Sequence, residues 1–240
     1  MPLAALGIMC KAPRPGAAKT RLAAVVGDQQ AAAIAACFLQ DVAAAIEAVP
    51  EELGRRGYGV YAPSGAEAAL GAILPASFGL VLQEGADFGV VLASTALHLL
   101  EAGHDCAVLI NADSPTLPPR LLADTIKILR RPGDRVVLGP AIDGGYYLIG
   151  LKAPHPGLFE NIPWSTADVY RLTLERADNI GLDVIALPVW YDVDDARTFA
   201  YLRDELAGTP PPFAEPGLTG GRAPATRAYL AGLPAMTSGA

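Results

Sequence analysis

The sequence predicts an α/β protein, a three-layer α/β/α sandwich around a mostly parallel central sheet. Three observations lead there. Short β-rich runs alternate with longer stretches of helical periodicity between residue 3 and about residue 206. The clearest run, residues 105–111, is an almost unbroken series of Cys, Ala, Val, Leu and Ile, as expected of a strand covered on both faces. At 240 residues and 52% hydrophobic content the chain can bury the core such a fold needs.

In order, residues 3–9 form the first apolar strand and lead into a Pro- and Gly-bearing stretch, residues 11–21, that is neither helix nor sheet. Gly27-Asp28 then introduces an Ala-rich helix over residues 29–49. Residues 59–62 and 79–82 are the second and third strands, and residues 88–102 a helix. After the strand at 105–111, Pro118 and Pro119 fit the first turn of a helix reaching residue 129, with Ser114 or Thr116 available to cap it. Strands at 135–138 and 146–151 flank a glycine-rich connection. A helix over 167–180, a strand over 183–189 and a helix over 196–206 complete the alternation. Beyond Ala207 the Pro and Gly content cannot sustain regular structure, apart from a short helix at 225–231. Residues 1–206 therefore read as one domain and 207–240 as a tail, either disordered or an arm packed on the body or on a second copy in a homodimer.

Charged residues make up 18% of the chain and the net charge is −7, which argues against a nucleic-acid partner. No apolar run looks long enough for a membrane span, and the start lacks a basic n-region and a cleavage site, so a cytoplasmic location is expected. Cys10, Cys37 and Cys106 show no metal-ligand spacing and lie in apolar segments, as buried reduced thiols would. The three histidines share no spacing and receive no chemical role.

Four segments could carry chemistry. The first holds Lys11, Arg14, Lys19 and Arg21 within eleven residues, directly after a buried strand in an acidic protein. A polyanion such as a nucleotide phosphate would be bound by charge-assisted hydrogen bonds there; a solvated basic loop is the plainer alternative. It is no P-loop, since the glycine spacing and G-K-[ST] ending are absent. The second is Asn111-Ala112-Asp113-Ser114-Pro115, where Asp113 sits at the carboxyl end of a central strand, the edge at which open α/β sheets bind ligands. It could hold a divalent metal against phosphate or simply cap a helix. The third, Asp143-Gly144-Gly145-Tyr146-Tyr147, could bring backbone close to a ligand or be an ordinary turn. The fourth is Trp190-Tyr191-Asp192-Val193-Asp194-Asp195, three carboxylates that repel unless a cation or solvent intervenes. Trp164, in Pro163-Trp164-Ser165-Thr166, is equally a core aromatic beside a helix cap.

In this order the segments resemble the small glycosyltransferase-A-fold family long carried as a domain of unknown function and often labelled glycosyltransferase. The motifs are K-x-P-x-P-G-x-x-K-T-R-L (residues 11–22), Q-x-G-x-D-x-G (83–89), A-D-S-P (112–115), L-G-P-A-x-D-G-G-Y-Y-L-I-G-L (138–151), I-P-W-S-T (162–166) and D-V-D (192–194). The resemblance implies a Rossmann-like nucleotide-diphospho-sugar transferase fold, related to the molybdenum-cofactor and phospholactate guanylyltransferases. It places Lys11, Arg14, Lys19, Arg21, Gln83 and Asp87 on the donor nucleotide. Asp143, Gly144, Gly145, Tyr146 and Trp164 fall on the acceptor side, and Asp113 and Asp194 on Mg²⁺ or Mn²⁺. The catalytic set it implies is Asp113, Lys19, Arg21 and Asp143. Two positions depart from the family pattern: Val90-Val91 replace Glu-Arg, and Asp195-Ala196 replace Thr-Pro. The implied activity is glycosyl transfer from a nucleotide-diphospho-sugar to a small acceptor. Its alternatives are nucleotidyl transfer from an NTP to a phosphorylated small molecule, with release of pyrophosphate, and a nucleotide-binding protein that has lost catalysis.

Overall fold

Strand β1 (Ala4–Lys11) occupies the middle of the molecule, and its neighbours explain why nearly all of it is apolar. Its alternate residues Ala4, Leu6, Ile8 and Cys10 enter one core, while Ala5 enters a second core on the opposite face. The chain is described by a computed structural model over residues 2–17 and 19–233. Ala18 of the opening motif and residues 234–240 of the C-terminal tail lie outside the described residues.

Seven strands form one sheet: β1, β2 (Arg55–Ala62), β3 (Gly79–Leu82), β4 (Cys106–Asn111), β5 (Arg135–Pro140), β6 (Tyr146–Leu151) and β7 (Asp183–Ala186). Their spatial order is β3-β2-β1-β4-β6-β5-β7. All neighbours are parallel except β6, which runs antiparallel to β4 and β5. The mostly parallel sheet predicted from the alternation is therefore present, with one reversal where the glycine-rich connection turns β5 back into β6.

One face is covered by α2 (Asp28–Glu47), α5 (Pro119–Leu129) and α7 (Ala196–Leu206), which contribute Phe38, Val42, Leu122, Ile126, Phe199 and Leu202 to its core. The other carries α4 (Phe88–Glu101) and α6 (Val169–Asn179), with Leu92, Leu99 and Ala177. Two short helices, α1 (Thr20–Val26) and α3 (Glu67–Gly71), were not expected from periodicity. Their few residues hold too little of a repeat to show. Helix α2 is long and apolar enough to cross a membrane, contrary to the expectation that no run is. Its apolar side is spent on the core, with Ile34, Phe38, Leu39, Val42 and Ile46 buried.

The opening segment is more ordered than its prolines suggested. Pairing of β1 with β2 continues through Lys11 and Ala62, and the Ala12 N–H reaches the Ala62 carbonyl at 3.0 Å. Arg21 lies in the first turn of α1. Ser114 and Thr116 do not cap α5: Ser114 Oγ donates to the Tyr191 carbonyl (2.8 Å), Thr116 Oγ1 lies 3.3 Å from the Tyr191 hydroxyl, and Pro118 holds the N-cap position.

Past Ala207 the described residues form an arm that packs on the chain's own body. Phe213 meets Tyr191 and Tyr201 edge-on at 5.5 and 5.7 Å, and the Gly221 N–H donates to Thr116 O. Helix α8 (Pro224–Ala231) lies against α2. Buried Asp41 of α2 accepts the Ala225 and Thr226 N–H groups, each at 2.8 Å, supplying the cap that Ala223 cannot.

Candidate active site

The chain order reverses between β1 and β4, which lie side by side although β2 and β3 intervene in sequence. Open α/β sheets leave a crevice at such a point, outside the carboxyl ends of the strands. Here β1 delivers Lys11 and the segment to Lys19, and β4 delivers Asn111 and Asp113. A third contributor arrives from far along the chain. After β7 the backbone hydrogen-bonds along β5 and beyond it: Leu187 N to Leu138 O, Trp190 N to Pro140 O and Ile142 N to Trp190 O. It then reaches the β4 side, where Val193 N donates to Asp113 O at 2.9 Å. In this extended stretch Tyr191 and Val193 are buried, so the alternation leaves Asp192 and Asp194 facing the crevice. Asp195 turns away and caps α7, its Oδ1 accepting the Thr198 N–H at 2.9 Å.

The centre of the site is Lys19. Its Nζ lies 2.9 Å from Asp113 Oδ1 and 2.6 Å from Asp194 Oδ1, with its side chain only 5% exposed. Burial opposes the ammonium charge, but the two carboxylates outweigh it and hold the lysine above its ordinary value. Its backbone is left-handed (φ 52°), a conformation costly for a residue with a Cβ and one that the surrounding packing must sustain. Arg21 Nη2 takes the other oxygen of Asp194 at 2.6 Å. Asp192 has no ion-pair partner among the described residues: burial, then repulsion from Asp143 and Asp194, outweigh the pull of Lys19 and raise its carboxyl to about 7.

Two connected hollows meet at this junction. One, of about 710 Å³, lies under the opening segment and is bordered by Lys11, Lys19, Arg21, Gln83 and Asn111. The other, of about 510 Å³, lies under the ends of β4 and β6 and is bordered by Asp143, Tyr146, Trp164, Asp192, Phe88 and Leu92. Arg21, Asn111, Asp113 and Asp194 border both. The Asn111 Oδ1 atom is buried there without a hydrogen-bond partner.

The structure thus gathers Lys11, Lys19, Arg21, Gln83, Asp113, Asp143, Gly145, Tyr146, Trp164 and Asp194 in one cleft. Three of the predicted residues line neither hollow: Arg14, Asp87 and Gly144. Asp87 is the N-cap of α4, its Oδ1 accepting the Val90 N–H at 2.9 Å, and Arg14 stands exposed outside both hollows. Gln83 is partly committed, because its Nε2 donates to Val60 O (2.8 Å) and Cys10 O (3.2 Å) where β1, β2 and β3 end. Tyr146 offers its ring to the second hollow and buries its hydroxyl away from solvent. The Asp143 segment is both a turn and a wall. Asp143 Oδ1 accepts the Gly145 N–H at 2.8 Å, while Gly144, at φ 90°, packs so tightly on Ala167 that a Cβ would overlap its carbonyl.

Asp192 and Phe88 are among the cleft residues that sequence reasoning left out of the site. For Asp192 the signal was present: in D-V-D both carboxylates fall on one side of an extended segment. Cys10 and Cys106 are buried and free, as expected, but Cys37 is only half-buried, since it lies on the partly exposed flank of α2.

A family model described as an uncharacterized protein conserved in bacteria (DUF2064) matches residues 45–166, half of the chain. The chain belongs to that family. The match takes in Gln83, Asp113, Asp143 and Trp164 but stops short of the opening segment and of Asp194. Those parts are covered by a likeness to a Desulfovibrio desulfuricans G20 structure, provisionally described as a nucleotide-diphospho-sugar transferase. It has TM-score 0.80 and 29% identity over 96% of this chain and 95% of that one. A CMP:2-keto-3-deoxy-manno-octonic acid synthetase complexed with CTP is similar at TM-score 0.56 and 14% identity, over 85% of this chain and 98% of that one. The 4-diphosphocytidyl-2C-methyl-D-erythritol synthase of Anaerococcus prevotii DSM 20548 follows at 0.52 and 12%, over 84% and 96%. At such identities the last two show the fold alone. No curated protein matches the chain. This DUF2064 protein therefore has the α/β sandwich of the nucleotide-diphospho-sugar transferase superfamily.

Proposed function

We propose that this DUF2064 protein is a transferase that uses a nucleotide-activated donor, moving a sugar from a nucleotide-diphospho-sugar to a small acceptor. The observation that carries the reading is the Lys19–Asp113–Asp194 junction, placed where a cationic hollow meets an anionic, aromatic one. The first hollow suits the donor, with Lys11, Lys19 and Arg21 available to its phosphates. The second suits the acceptor, with Asp143 accepting a hydrogen bond from the attacking hydroxyl and the Trp164 and Tyr146 rings forming its walls.

The donor set at the junction fits Mg²⁺ or Mn²⁺. Asp113 and Asp194 already share one cation, the Lys19 ammonium, so their carboxylates are close enough to share a metal, and oxygen ligands suit hard divalent ions. Among the described residues no third Asp, Glu, His or Cys joins them at ligating distance, so donor phosphates or water would complete the coordination. When bound, the metal supplies positive charge against the leaving diphosphate. Lys19 and Arg21 contribute to the same end, stabilising the diphosphate as the sugar–oxygen bond breaks, while the acceptor oxygen bonds to the sugar carbon and passes its proton to the Asp143 carboxylate.

Nucleotidyl transfer is the second reading, favoured by the density of cations at the opening segment, since a triphosphate needs more neutralisation than a diphosphate. Thermal shift with Mg²⁺ or Mn²⁺ separates the two. UDP- or GDP-sugars should stabilise the chain more than GTP or CTP. Stabilisation by the triphosphates alone would sink the glycosyl reading, and metal-independent stabilisation would remove the metal from it.

A further inference from the structure

The two hollows differ in chemistry as well as position. Every cation of the site belongs to the opening segment. Lys19 and Arg21 are spent on Asp113 and Asp194, leaving Asp143 and Asp192 as carboxylates of the second hollow with no ion-pair partner among the described residues. Around them stand aromatic and aliphatic walls. Trp164 meets Phe88 edge-on (centroids 5.3 Å, planes at 81°) and Tyr146 edge-on (6.4 Å, 87°), beside Met9 and Leu92. Ring faces and carboxylates both favour positive over negative charge. Asn111 borders both hollows, but its unpartnered Oδ1 is buried beneath their shared wall.

We propose that the second hollow selects an uncharged or cationic acceptor with an apolar portion, and rejects phosphorylated acceptors. The apolar part lies against Phe88, Tyr146 and Trp164, and its hydroxyl or ammonium donors face Asp143 and Asp192. A phosphate placed there would face Asp113, Asp143, Asp192 and Asp194 with Arg21, itself paired to Asp194, as the one cation among the lining residues, the kind of like-charge juxtaposition that excludes wrong partners. The proposal rests on the acceptor assignment above and turns it into a charge selectivity. It also separates the two reactions, because a nucleotidyl acceptor bearing a phosphate would not fit.

Three probes with one ring and different charges test it: benzylamine, benzyl alcohol and benzyl phosphate. The chain has two tryptophans, of which Trp190 is fully buried, so fluorescence changes on titration report on Trp164. Benzylamine and benzyl alcohol should bind about tenfold or more tightly than benzyl phosphate. Asp143→Asn, which can keep the hydrogen bond from the Gly145 N–H, should narrow the advantage of benzylamine over benzyl phosphate by several-fold, and an unchanged ratio overturns the proposal. Equal or tighter binding of benzyl phosphate overturns the proposal, as does the absence of any response to the amine and the alcohol. The probes need no donor, so the outcome is separable from the donor panel. Nucleotide-sugar binding with the reverse probe order defeats the acceptor selectivity, whereas the expected probe order without nucleotide binding defeats the transferase reading.

Discussion

Replacing Lys19 by methionine is the most direct way to ask what holds the site together. The change keeps most of the side chain's hydrocarbon length beside Phe38, whose ring centroid lies 5.8 Å from Nζ, and removes only the charge. It strands Asp113 and Asp194 beside Asp143 and Asp192, with Arg21 alone remaining as a contact. Removing one partner of a fully buried ion pair costs about 3–5 kcal/mol. Here the stranded groups can hydrate, with Asp113 40% and Asp194 26% exposed, and Asp194 keeps Arg21. A loss of about 1–3 kcal/mol is therefore expected, a Tm drop of about 2–12 °C for a chain of this size. The same change frees the two carboxylates for a divalent ion. In the wild type Mn²⁺ must compete with an ammonium already in contact with both, so without a donor it should stabilise little. In Lys19→Met, Mn²⁺ at about a hundred times its Kd should restore about 2.7 kcal/mol. Thermal unfolding with and without Mn²⁺, paired with calorimetric Mn²⁺ titration, reads both effects. A variant as stable as wild type, or equal Mn²⁺ affinities in the two proteins, would refute the view that Lys19 is the resident countercharge of this carboxylate pair.

Other perturbations probe separate parts of the argument. Asp113→Asn should abolish turnover while circular dichroism shows an intact fold; unfolding with full activity per folded molecule would make Asp113 structural. Gly144→Ala should cost about 2–4 kcal/mol in denaturant unfolding, because the position needs φ 90° and has no room for a Cβ against Ala167. Asp41→Ala removes the acceptor for two N–H groups of α8 and should cost about 1–2 kcal/mol, with limited proteolysis then cutting the arm before the body. Burial, with Asp113 and Asp105 as the nearby carboxylates, pushes the Cys10 and Cys106 thiols up to about 12, so both stay protonated through pH 9. Iodoacetamide should therefore label half-buried Cys37 first, and mass spectrometry that finds Cys10 or Cys106 labelled first would contradict their placement.

The layers of this fold could be read from the sequence because each depends on a local pattern. Unbroken apolar runs mark strands covered on both faces, and helical spacing marks what covers them. Asp87 apart, what escaped depended on distance along the chain. Asp87 looked like a ligand in its glycine-rich motif, yet the backbone beside it begins a helix, and capping claims its carboxylate. Ser114 and Thr116 looked like caps, yet they meet Tyr191, 77 and 75 residues away in sequence. The arm after Ala207 could not be assigned from composition, because its partners Asp41 and Tyr191 lie in elements that only the folded chain brings near it. Asp192 shared a motif with Asp194, but which of the two would be neutralised follows from where Lys19 arrives.

That last point bears on how an acidic chain builds a site for an anionic donor. A net charge of −7 would repel a nucleotide diphosphate if it were spread evenly. The chain instead concentrates Lys11, Lys19 and Arg21 just after β1 and opposes two of them with Asp113 and Asp194. On the transferase reading proposed above, a donor would meet a hollow whose cations are already in position, and the carboxylates that hold them would be free to share a metal if phosphate drew Lys19 away. Asp143 and Asp192 stand on the far side of the junction without an ion-pair partner among the described residues. On the same reading, one row of side chains at the sheet's edge would present opposite signs to donor and acceptor, and a substitution that neutralises Lys19 should weaken donor binding while leaving the second hollow, bordered by Asp113 and Asp194, no less hostile to phosphate.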